Sequence, residues 1–357
     1  MSTRVVLRSP LGDTVIRSIV DGVWRADIAD PDMSLGEGMW ALPGLVDGHS
    51  HLAGDAMPPD SSPPEQAAAR TRARDALEAG VTLLFDKGWS DETVLDLIEA
   101  VDATERPHIE AAGRIIASPG GYYSGFAHEI DPADLESTVA REAERRAGWV
   151  KLIGDWPRPG IGPQQNFTFD ELEAAVRVAD QHGRRIAIHT MARDVPSVAV
   201  AAGVHSIEHG LFLSEADLDE LAARDGIWVP TLRQVEATAA SLRPGSSGEA
   251  LLVEGVANAS MLLPLAVEAG VRVLAGTDMA GPSAEVAKEA LRIGECGVAP
   301  LAVLRIVGLN GHDAAGRSTD FEVGDSADAV LFSADPSVDL GVLGHPSHVI
   351  RAGRVVK

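Results

Sequence analysis

The sequence is poor in cysteine, in aromatic residues and in positive charge. Its single cysteine, Cys296, cannot form an internal disulfide, which fits a reducing compartment. Lysine and arginine number 30 against 53 aspartates and glutamates, so the formal net charge is −23. No basic run offers a surface for a phosphate backbone or an anionic membrane, and we expect neither nucleic acid nor a membrane as a partner.

Long hydrophobic runs and a secretory signal are missing as well. Charged residues interrupt the N-terminal stretch 1–13, and no apolar run approaches the ~18–20 residues of a membrane span. The 357 residues are 45% hydrophobic, which allows one large domain with a small appendage. We therefore expect a cytoplasmic protein whose acidity serves solubility.

Between residues 42 and 317, short apolar runs alternate with amphipathic helical stretches. Eight such units over roughly 250 residues predict a (β/α)8 TIM-like barrel of the α/β class. A doubly wound sheet is the alternative, but no Gly-rich phosphate loop follows the first strand. The predicted strands are Leu42–Val46, Val81–Phe85, Ile109–Ala117, Trp149–Ile153, Arg185–Ile188, His205–Ile207, Ile227–Val229 and Val271–Ala275.

Both ends of the chain have a different pattern, with short β-rich runs separated by turn residues. Val5–Leu7 and Ala329–Phe332 are predicted strands, and the last residues form a predicted hairpin around Ala352 and Gly353. We expect residues 1–41 and 318–357 to pair into one small accessory β-sandwich beside the barrel, which occupies residues 42–317.

Chemically active side chains follow five of the predicted barrel strands. They are His49 with His51, then Lys151, His189, His209 and Asp278. The carboxyl ends of barrel strands carry the active site, and residues two apart in a strand point to the same side. Imidazoles with a carboxylate are typical ligands of zinc and similar cations. The pattern predicts a metal site at this end of the barrel.

Four motifs resemble those of the amidohydrolase superfamily of metal-dependent hydrolases. The similarity spans the whole chain and is closest to the prolidase-like or imidazolonepropionase-like branch. The motifs are LPGLVDGHSH at residues 42–51, VHSIEHG at 204–210, AGTD at 275–278 and VGDSADAVL at 323–331.

The resemblance implies two divalent metal ions. His49 and His51 would bind one with Asp278, while His189 and His209 would bind the other. Zinc is the expected metal, and manganese, cobalt or iron are alternatives. Lys151 matches a bridging lysine, which must be carbamylated by CO₂ because an ammonium cannot ligate a cation. The alternative is a cationic lysine that binds a substrate carboxylate.

The same resemblance implies an amidohydrolase mechanism. A bridging water, deprotonated by the metals, would attack a carbonyl, and Asp278 would pass the proton to the departing amine. The expected substrate is a small amide such as an N-acyl amino acid, a dipeptide or a cyclic amide. A lactone or ester hydrolase, a deaminase and a non-catalytic metal-binding scaffold are the alternatives. Barrels of this type often form homo-oligomers, and the sequence leaves the oligomeric state open.

The chain departs from dipeptidase-like relatives after the third strand. Tyr122 stands where they carry a histidine, and its hydroxyl is a candidate for polarising the carbonyl, with His128 as a replacement imidazole. Tyr122 and Tyr123 are candidate substrate contacts, or else they pack the loop. Trp156 is a candidate wall for an apolar or planar group, and Arg233 is a candidate for holding a carboxylate. Simple packing and a surface salt bridge are the alternatives for these last two.

Overall fold

A computed structural model describes residues 2–54, 66–145 and 148–357. The strands, in chain order, are β1 (Thr3–Arg8), β2 (Thr14–Val20), β3 (Val23–Arg25), β4 (Met33–Leu35), β5 (Trp40–Leu42), β6 (Leu45–Ser50), β7 (Val81–Asp86), β8 (His108–Ala117), β9 (His128–Glu129), β10 (Trp149–Ile153), β11 (Asp155–Arg158), β12 (Gly162–Gln165), β13 (Arg185–Thr190), β14 (Ser206–His209), β15 (Ile227–Val229), β16 (Arg272–Val273), β17 (Ala329–Phe332), β18 (His348–Arg351) and β19 (Arg354–Val355).

The described helices follow the barrel strands for the most part. They are α1 (Gln66–Glu78), α2 (Thr93–Ala100), α3 (Leu135–Ala143), α4 (Phe169–Gln181), α5 (Val195–Ala201), α6 (Glu215–Ala223), α7 (Leu232–Ser241), α8 (Ser247–Ala269), α9 (Val286–Glu295), α10 (Pro300–Leu304) and α11 (Asn310–Ala314). Short 3₁₀ turns lie at Pro132–Asp134, Ser283–Glu285 and Leu340–Gly344, and a π-helical turn lies at Arg305–Leu309.

The large sheet is parallel and runs in the order β6-β7-β8-β10-β13-β14-β15-β16, with β9 beside β8. The sheet curls until its ends meet, because Gly48 N donates to Ala275 O at 2.7 Å and Asp278 N donates to His49 O at 2.8 Å. A side chain at Gly48 would prevent this approach, since its Cβ would lie 2.7 Å from Leu274 Cβ. The predicted α/β class with a TIM-like parallel sheet is confirmed.

The barrel strands are apolar because both of their faces are covered. β7 and β10 are buried along their whole length, as parallel strands between a filled interior and outer helices must be. The interior cluster contains bulky and branched side chains from successive strands. They are Val46, Leu83, Phe85, Trp149, Ile227, Val229 and Leu274.

By length and composition α8 is apolar enough to cross a membrane, with a mean hydropathy of 1.7 in its apolar window. The expectation that no apolar run reaches this length is therefore wrong for this helix. It is the single such helix among the residues the structure describes. A third of the window is buried, and α8 packs against α6 and α7 with Leu252, Leu262 and Leu263 inside. Helices in the cores of soluble proteins can have the same length and hydropathy.

Two small sheets lie at the chain ends, in the orders β3-β2-β1-β4 and β19-β18-β17-β5. The second joins distant parts of the chain, because Leu42 of β5 pairs with Val330 of β17. Val5 and Trp24 from the first sheet share an apolar cluster with Leu331 from the second. The hairpin predicted near the C-terminus is confirmed, since β18 and β19 pair antiparallel.

The sequence reasoning missed two elements that border the site. One is the hairpin β11–β12, whose two strands contain two prolines and one glycine and lack the alternation typical of a strand. The other is α7, which begins two residues after Pro230. Its buried side chains Leu232, Val235 and Ala239 follow helical spacing, but the run is short and alanine-rich, so its periodicity is weak.

Candidate metal centre and active site

Three predicted ligands converge at the carboxyl end of β6. His49 Nε2 lies 3.3 Å from His51 Nε2, and each nitrogen lies 3.3 Å from Asp278 Oδ1. All three residues are buried, and their ligand atoms lie within 4.8 Å of one another. His49 is the fifth residue of β6 and His51 follows the strand directly, while Asp278 lies beyond β16 at the closing seam.

A hydrogen bond from His51 points the lone pair of its other ring nitrogen toward His49 and Asp278. His51 Nδ1 lies 2.7 Å from Gly88 O, so this nitrogen carries the proton and Nε2 is unprotonated in the neutral ring. Burial lowers the pKa of His49 well below its usual range, against the pull of Asp278, so this ring is neutral. The lone pair on His51 Nε2 and the carboxylate oxygen 3.3 Å away repel each other, and a divalent cation between them removes that repulsion. The donor set fits a metal ion.

A second pair of histidines, His189 and His209, lies near the other carboxylate oxygen of Asp278. His209 Nε2 is 3.0 Å from His189 Nδ1 and 3.7 Å from Asp278 Oδ2. Burial lowers the pKa of His209 to about 3 and that of His189 well below the usual range. His209 Nδ1 lies 2.6 Å from Thr231 Oγ1. Asp278 thus presents Oδ1 to the first pair of imidazoles and Oδ2 to His209.

Lys151 lies in the middle of β10 and is 2% exposed. Its Nζ has no hydrogen-bond partner among the described residues. Burial lowers the pKa of Lys151 to about 8, although Glu208 opposes this effect. Burying an amine without a hydrogen-bond partner costs free energy. The position therefore favours a group added to Nζ that could bind a metal ion or accept hydrogen bonds. A carbamate facing the two histidine pairs meets this requirement.

Sequence reasoning missed the charged pair beneath the site, Glu208 and Lys87. The Glu208 carboxylate is fully buried, with Oε1 accepting from Lys87 Nζ at 3.0 Å and from Ser206 Oγ at 2.5 Å. Its Oε2 lies 2.7 Å from His49 Nδ1, in contact but without hydrogen-bond alignment. Burial raises the pKa of Glu208, but Lys87 and Lys151 outweigh it and the pKa is lowered. The glutamate of the IEHG motif was the available signal.

Three strand ends at the site have left-handed backbone. The φ angles are 63° at His209, 45° at Thr231 and 40° at Asp278. Such conformations cost non-glycine residues on the order of 1–3 kcal/mol each and concentrate at functional sites. The glycine of the IEHG motif, Gly210, has a φ of 59°, and a Cβ there would lie 2.7 Å from Trp228 Nε1. That indole donates to His209 O at 2.8 Å and holds the ligand strand.

The pocket over the histidines is lined by predicted and unpredicted side chains. Tyr122, Tyr123 and Trp156 line it as candidate substrate contacts, together with the metal-ligand candidates. The structure adds Gln234 and Thr238, which are one helical turn apart on α7.

Two candidates lie elsewhere. The side chain of Arg233 is not among the lining residues, its backbone N donates to Glu289 Oε2 at 3.1 Å, and its buried Nη1 has no hydrogen-bond partner among the described residues. His128 lies in β9 beside Ile116 of β8 and is not among the lining residues either. The structure therefore does not bring Arg233 or His128 to the pocket wall.

Comparisons with known proteins identify the family of the chain. The family model described as "Amidohydrolase family" matches residues 40–356. An uncharacterized protein of Mycobacterium tuberculosis is 34% identical over 359 residues, covering 94% of this chain and 90% of its own length. Ochratoxinase from Aspergillus niger is 24% identical over 371 residues, covering 88% of this chain and 75% of its own length.

Solved structures share the fold. A Xaa-Pro dipeptidase with bound methionine superposes with a TM-score of 0.84 at 21% identity and covers 99% of both chains. The A. niger ochratoxinase structure superposes with a TM-score of 0.81 at 19% identity, covering 100% of this chain and 95% of its own. The family model and the mycobacterial relative each extend over nearly the whole chain. The resemblance read from the motifs is confirmed: the chain belongs to the amidohydrolase family and is a hydrolase that acts on carbon–nitrogen bonds.

Proposed function

We propose that this enzyme is a metal-dependent hydrolase that cleaves the amide bond of a small molecule, such as an N-acyl amino acid, a dipeptide or a cyclic amide. One observation carries the proposal. The carboxylate of Asp278 lies between two pairs of imidazole nitrogens at the carboxyl end of the barrel strands, with distances of 3.3 Å to one pair and 3.7 Å to His209. A Xaa-Pro dipeptidase among the proteins of similar fold supports an amide substrate.

The candidate ligands form two groups, one for each metal ion. His49, His51 and Asp278 would hold one ion, and His189 and His209 would hold a second, with Lys151 between them as a carbamate. Zinc fits imidazole and carboxylate ligands, as do manganese, cobalt and iron. When bound, the ions lower the pKa of a coordinated water toward about 7 and polarise the amide carbonyl.

The protein's own groups perform the proton transfers. Asp278 accepts the proton of the attacking water and delivers it to the nitrogen of the departing amine. The Tyr122 hydroxyl donates a hydrogen bond to the carbonyl oxygen as that oxygen gains charge. Burial raises the pKa of Tyr122 well above its usual range, so the hydroxyl keeps its proton as a donor. Tyr123 and Trp156 exclude water from the face of the substrate.

A hydrolysis screen on Zn²⁺-loaded protein tests this function, with bound metal measured on the same sample. N-acyl amino acids, dipeptides, cyclic imides and lactones form the panel. We expect metal-dependent amide hydrolysis that His49→Ala abolishes together with metal binding. His345→Ala, at an exposed histidine outside the site, is the matched control and should behave as the wild type. Activity on lactones alone overturns the amide assignment, and metal-loaded protein inert toward every class overturns the enzyme assignment.

A separate measurement tests whether Lys151 carries a carbamate. Native mass determination, or electron density for Lys151, should reveal one CO₂ on its Nζ, and Lys151→Ala should lose that mass together with one of the two metal ions. Unmodified lysine in fully active enzyme contradicts this role and favours a cationic contact to substrate.

The broader organisation is also part of the proposal. We infer that the two small sheets form one accessory β-sandwich from residues 1–41 and 318–357, beside a barrel at residues 42–317. Their shared apolar cluster supports this division. The cytoplasmic location, the small-molecule substrate as sole partner class and the possibility of a homo-oligomer stay predictions.

A further inference from the structure

Aromatic residues are few in this chain, and five of the fifteen lie together at the candidate site. The sequence contains two tyrosines, six tryptophans and seven phenylalanines. Both tyrosines, two tryptophans and one phenylalanine form a connected group of rings over the histidines. We call this group the aromatic arc, defined as Trp89, Tyr122, Tyr123, Phe126 and Trp156.

The rings of the arc contact each other closely and reach the metal-ligand candidates at both ends. Tyr122 and Tyr123 lie 4.6 and 4.7 Å from Trp156, measured between ring centroids, in edge-to-face geometry. At one end Trp156 is 5.8 Å from His189, and at the other Trp89 is 5.6 Å from His51. A group bound at the histidines therefore lies against aromatic faces and edges, which favour another planar ring.

Polar contacts outside the pocket hold the arc in place. The buried Asn166 donates through Nδ2 to Gly121 O at 2.9 Å and to Ile153 O at 2.8 Å, which ties the tyrosine loop to the end of β10. Asp155, next to Trp156 and 1% exposed, accepts from Met191 N at 2.9 Å. The subsite is thus built before the substrate arrives, which reduces the ordering cost of binding.

The rest of the pocket wall is uncharged. Apart from the metal-ligand candidates with Lys151, and Tyr122, Tyr123 and Trp156 of the arc, the lining side chains among the described residues are Ile153, Met191, Gln234 and Thr238. Arg72 lies in a neighbouring cavity that also borders His51, and it donates through Nε to Leu52 O at 2.7 Å. The segment 55–65, outside the described residues, contains no lysine or arginine in its sequence. With Lys151 carbamylated, no lysine or arginine of the described wall would pair with a substrate carboxylate.

We propose that the substrate is a neutral amide that carries a planar aromatic acyl group, whose ring binds against Tyr122, Tyr123 and Trp156. This inference rests on the proposed amide hydrolysis and narrows its substrate class. Hydrolysis breaks the bond between the carbonyl carbon and nitrogen, adds water across it, and releases an aromatic carboxylic acid and an amine that carries no carboxylate. The arc binds the acyl ring, and Met191 adds a polarisable contact beside it.

Four matched amides test the proposal on Zn²⁺-loaded enzyme. They are N-(2-hydroxyethyl)benzamide, N-(2-hydroxyethyl)acetamide, N-benzoylglycine and N-acetylglycine, which vary the aromatic ring and the carboxylate independently. We expect kcat/KM for the neutral benzamide to exceed that of the neutral acetamide by about 10- to 100-fold, from burial of the ring. The neutral benzamide should also exceed N-benzoylglycine.

Variants of arc residues test whether the arc causes the preference for benzoyl over acetyl amides. Tyr123→Leu and Trp156→Leu should each lower the benzoyl-to-acetyl ratio of kcat/KM at least about fivefold, since an aliphatic side chain loses the ring contact. Trp156→Phe, which keeps a ring, should retain most of the ratio. Trp40→Leu, at a tryptophan in β5 outside the arc, is the control and should leave the ratio at the wild-type value.

The outcomes separate this proposal from the function it rests on. Equal kcat/KM for benzoyl and acetyl amides, with clear hydrolysis of both, overturns the aromatic subsite and leaves amide hydrolysis standing. A preference for the two glycine derivatives overturns the neutral-substrate part and points to a cationic Lys151 or to Arg233. Hydrolysis of none of the four amides by enzyme that cleaves lactones overturns both proposals.

Discussion

Replacing Glu208 by glutamine tests whether the buried charge beneath the site orients His49. The carboxylate is fully buried and faces three groups: Lys87 Nζ at 3.0 Å, Ser206 Oγ at 2.5 Å and His49 Nδ1 at 2.7 Å. Glutamine keeps the shape of the side chain but has one acceptor oxygen and no charge. One of the two nitrogens, in Lys87 or in His49, must then face an NH₂ group.

Two quantities should change. Lys87 loses its carboxylate in a buried environment, and breaking a buried pair in this way costs about 3–5 kcal/mol of unfolding free energy. Its Nζ lies 4.8 Å from the ring centre of Trp149, and this cation–π contact places the expected loss at about 3 kcal/mol. An amide NH₂ at His49 Nδ1 also favours the tautomer with its proton on Nε2, so metal affinity should fall about 10- to 100-fold.

The assays are urea unfolding of metal-free protein and competition for Zn²⁺ with a chelator of known affinity. Ser206→Ala is the matched control, because it removes a donor to the same oxygen but keeps the charge. It should cost only about 1 kcal/mol and leave metal affinity within about threefold. If Glu208→Gln is as stable as this control and binds Zn²⁺ as the wild type does, the positioning role of Glu208 is wrong.

Three further predictions concern the proton shuttle, the carbonyl donor and a buried acid. Asp278→Asn should keep the fold but lower kcat by about 10²–10⁴-fold, which steady-state kinetics at matched metal content would measure, and wild-type turnover would refute the assignment. Tyr122→Phe should lower kcat by about 10²–10³-fold with little change in KM. An unchanged kcat would show that the Tyr122 hydroxyl does not act on the carbonyl and that the side chain only packs. Glu289 accepts from the backbone N atoms of Leu232 and Arg233, and burial raises its pKa from 4.5 to about 7. The folded state therefore binds this proton more tightly than the unfolded state, so the carboxylate costs stability as pH rises from about 4.5 to about 7, by roughly 3 kcal/mol in total. Glu289→Gln should remove that loss. Urea unfolding of both proteins at pH 4.5 and pH 8 measures it, and an equal change in unfolding free energy between the two pH values would contradict the reasoning.

The sequence by itself determined the barrel and the identity of the candidate ligands. Runs such as Val81–Phe85 and Trp149–Ile153 are apolar apart from Thr82 and Lys151 because both faces of each strand are buried, and their alternation with helices indicates a parallel sheet. His49 and His51 come within five residues after the first such run and Asp278 three residues after the last, and strand ends meet at one edge whatever the details of packing. These features are local, so a single sequence contains them.

Only the tertiary structure decided what surrounds those ligands. The ion pair of Glu208 with Lys87 joins β14 to the end of β7, and the arc brings Trp156 from a hairpin against Tyr122 from a loop. Gln234 replaces the expected Arg233 at the pocket wall because the rotation of α7 decides which side chain faces inward. Such contacts depend on backbone geometry between distant segments, which local spacing does not encode. The scarcity of aromatic residues was visible from the start, and the contact of five of them at one site appeared only in the fold.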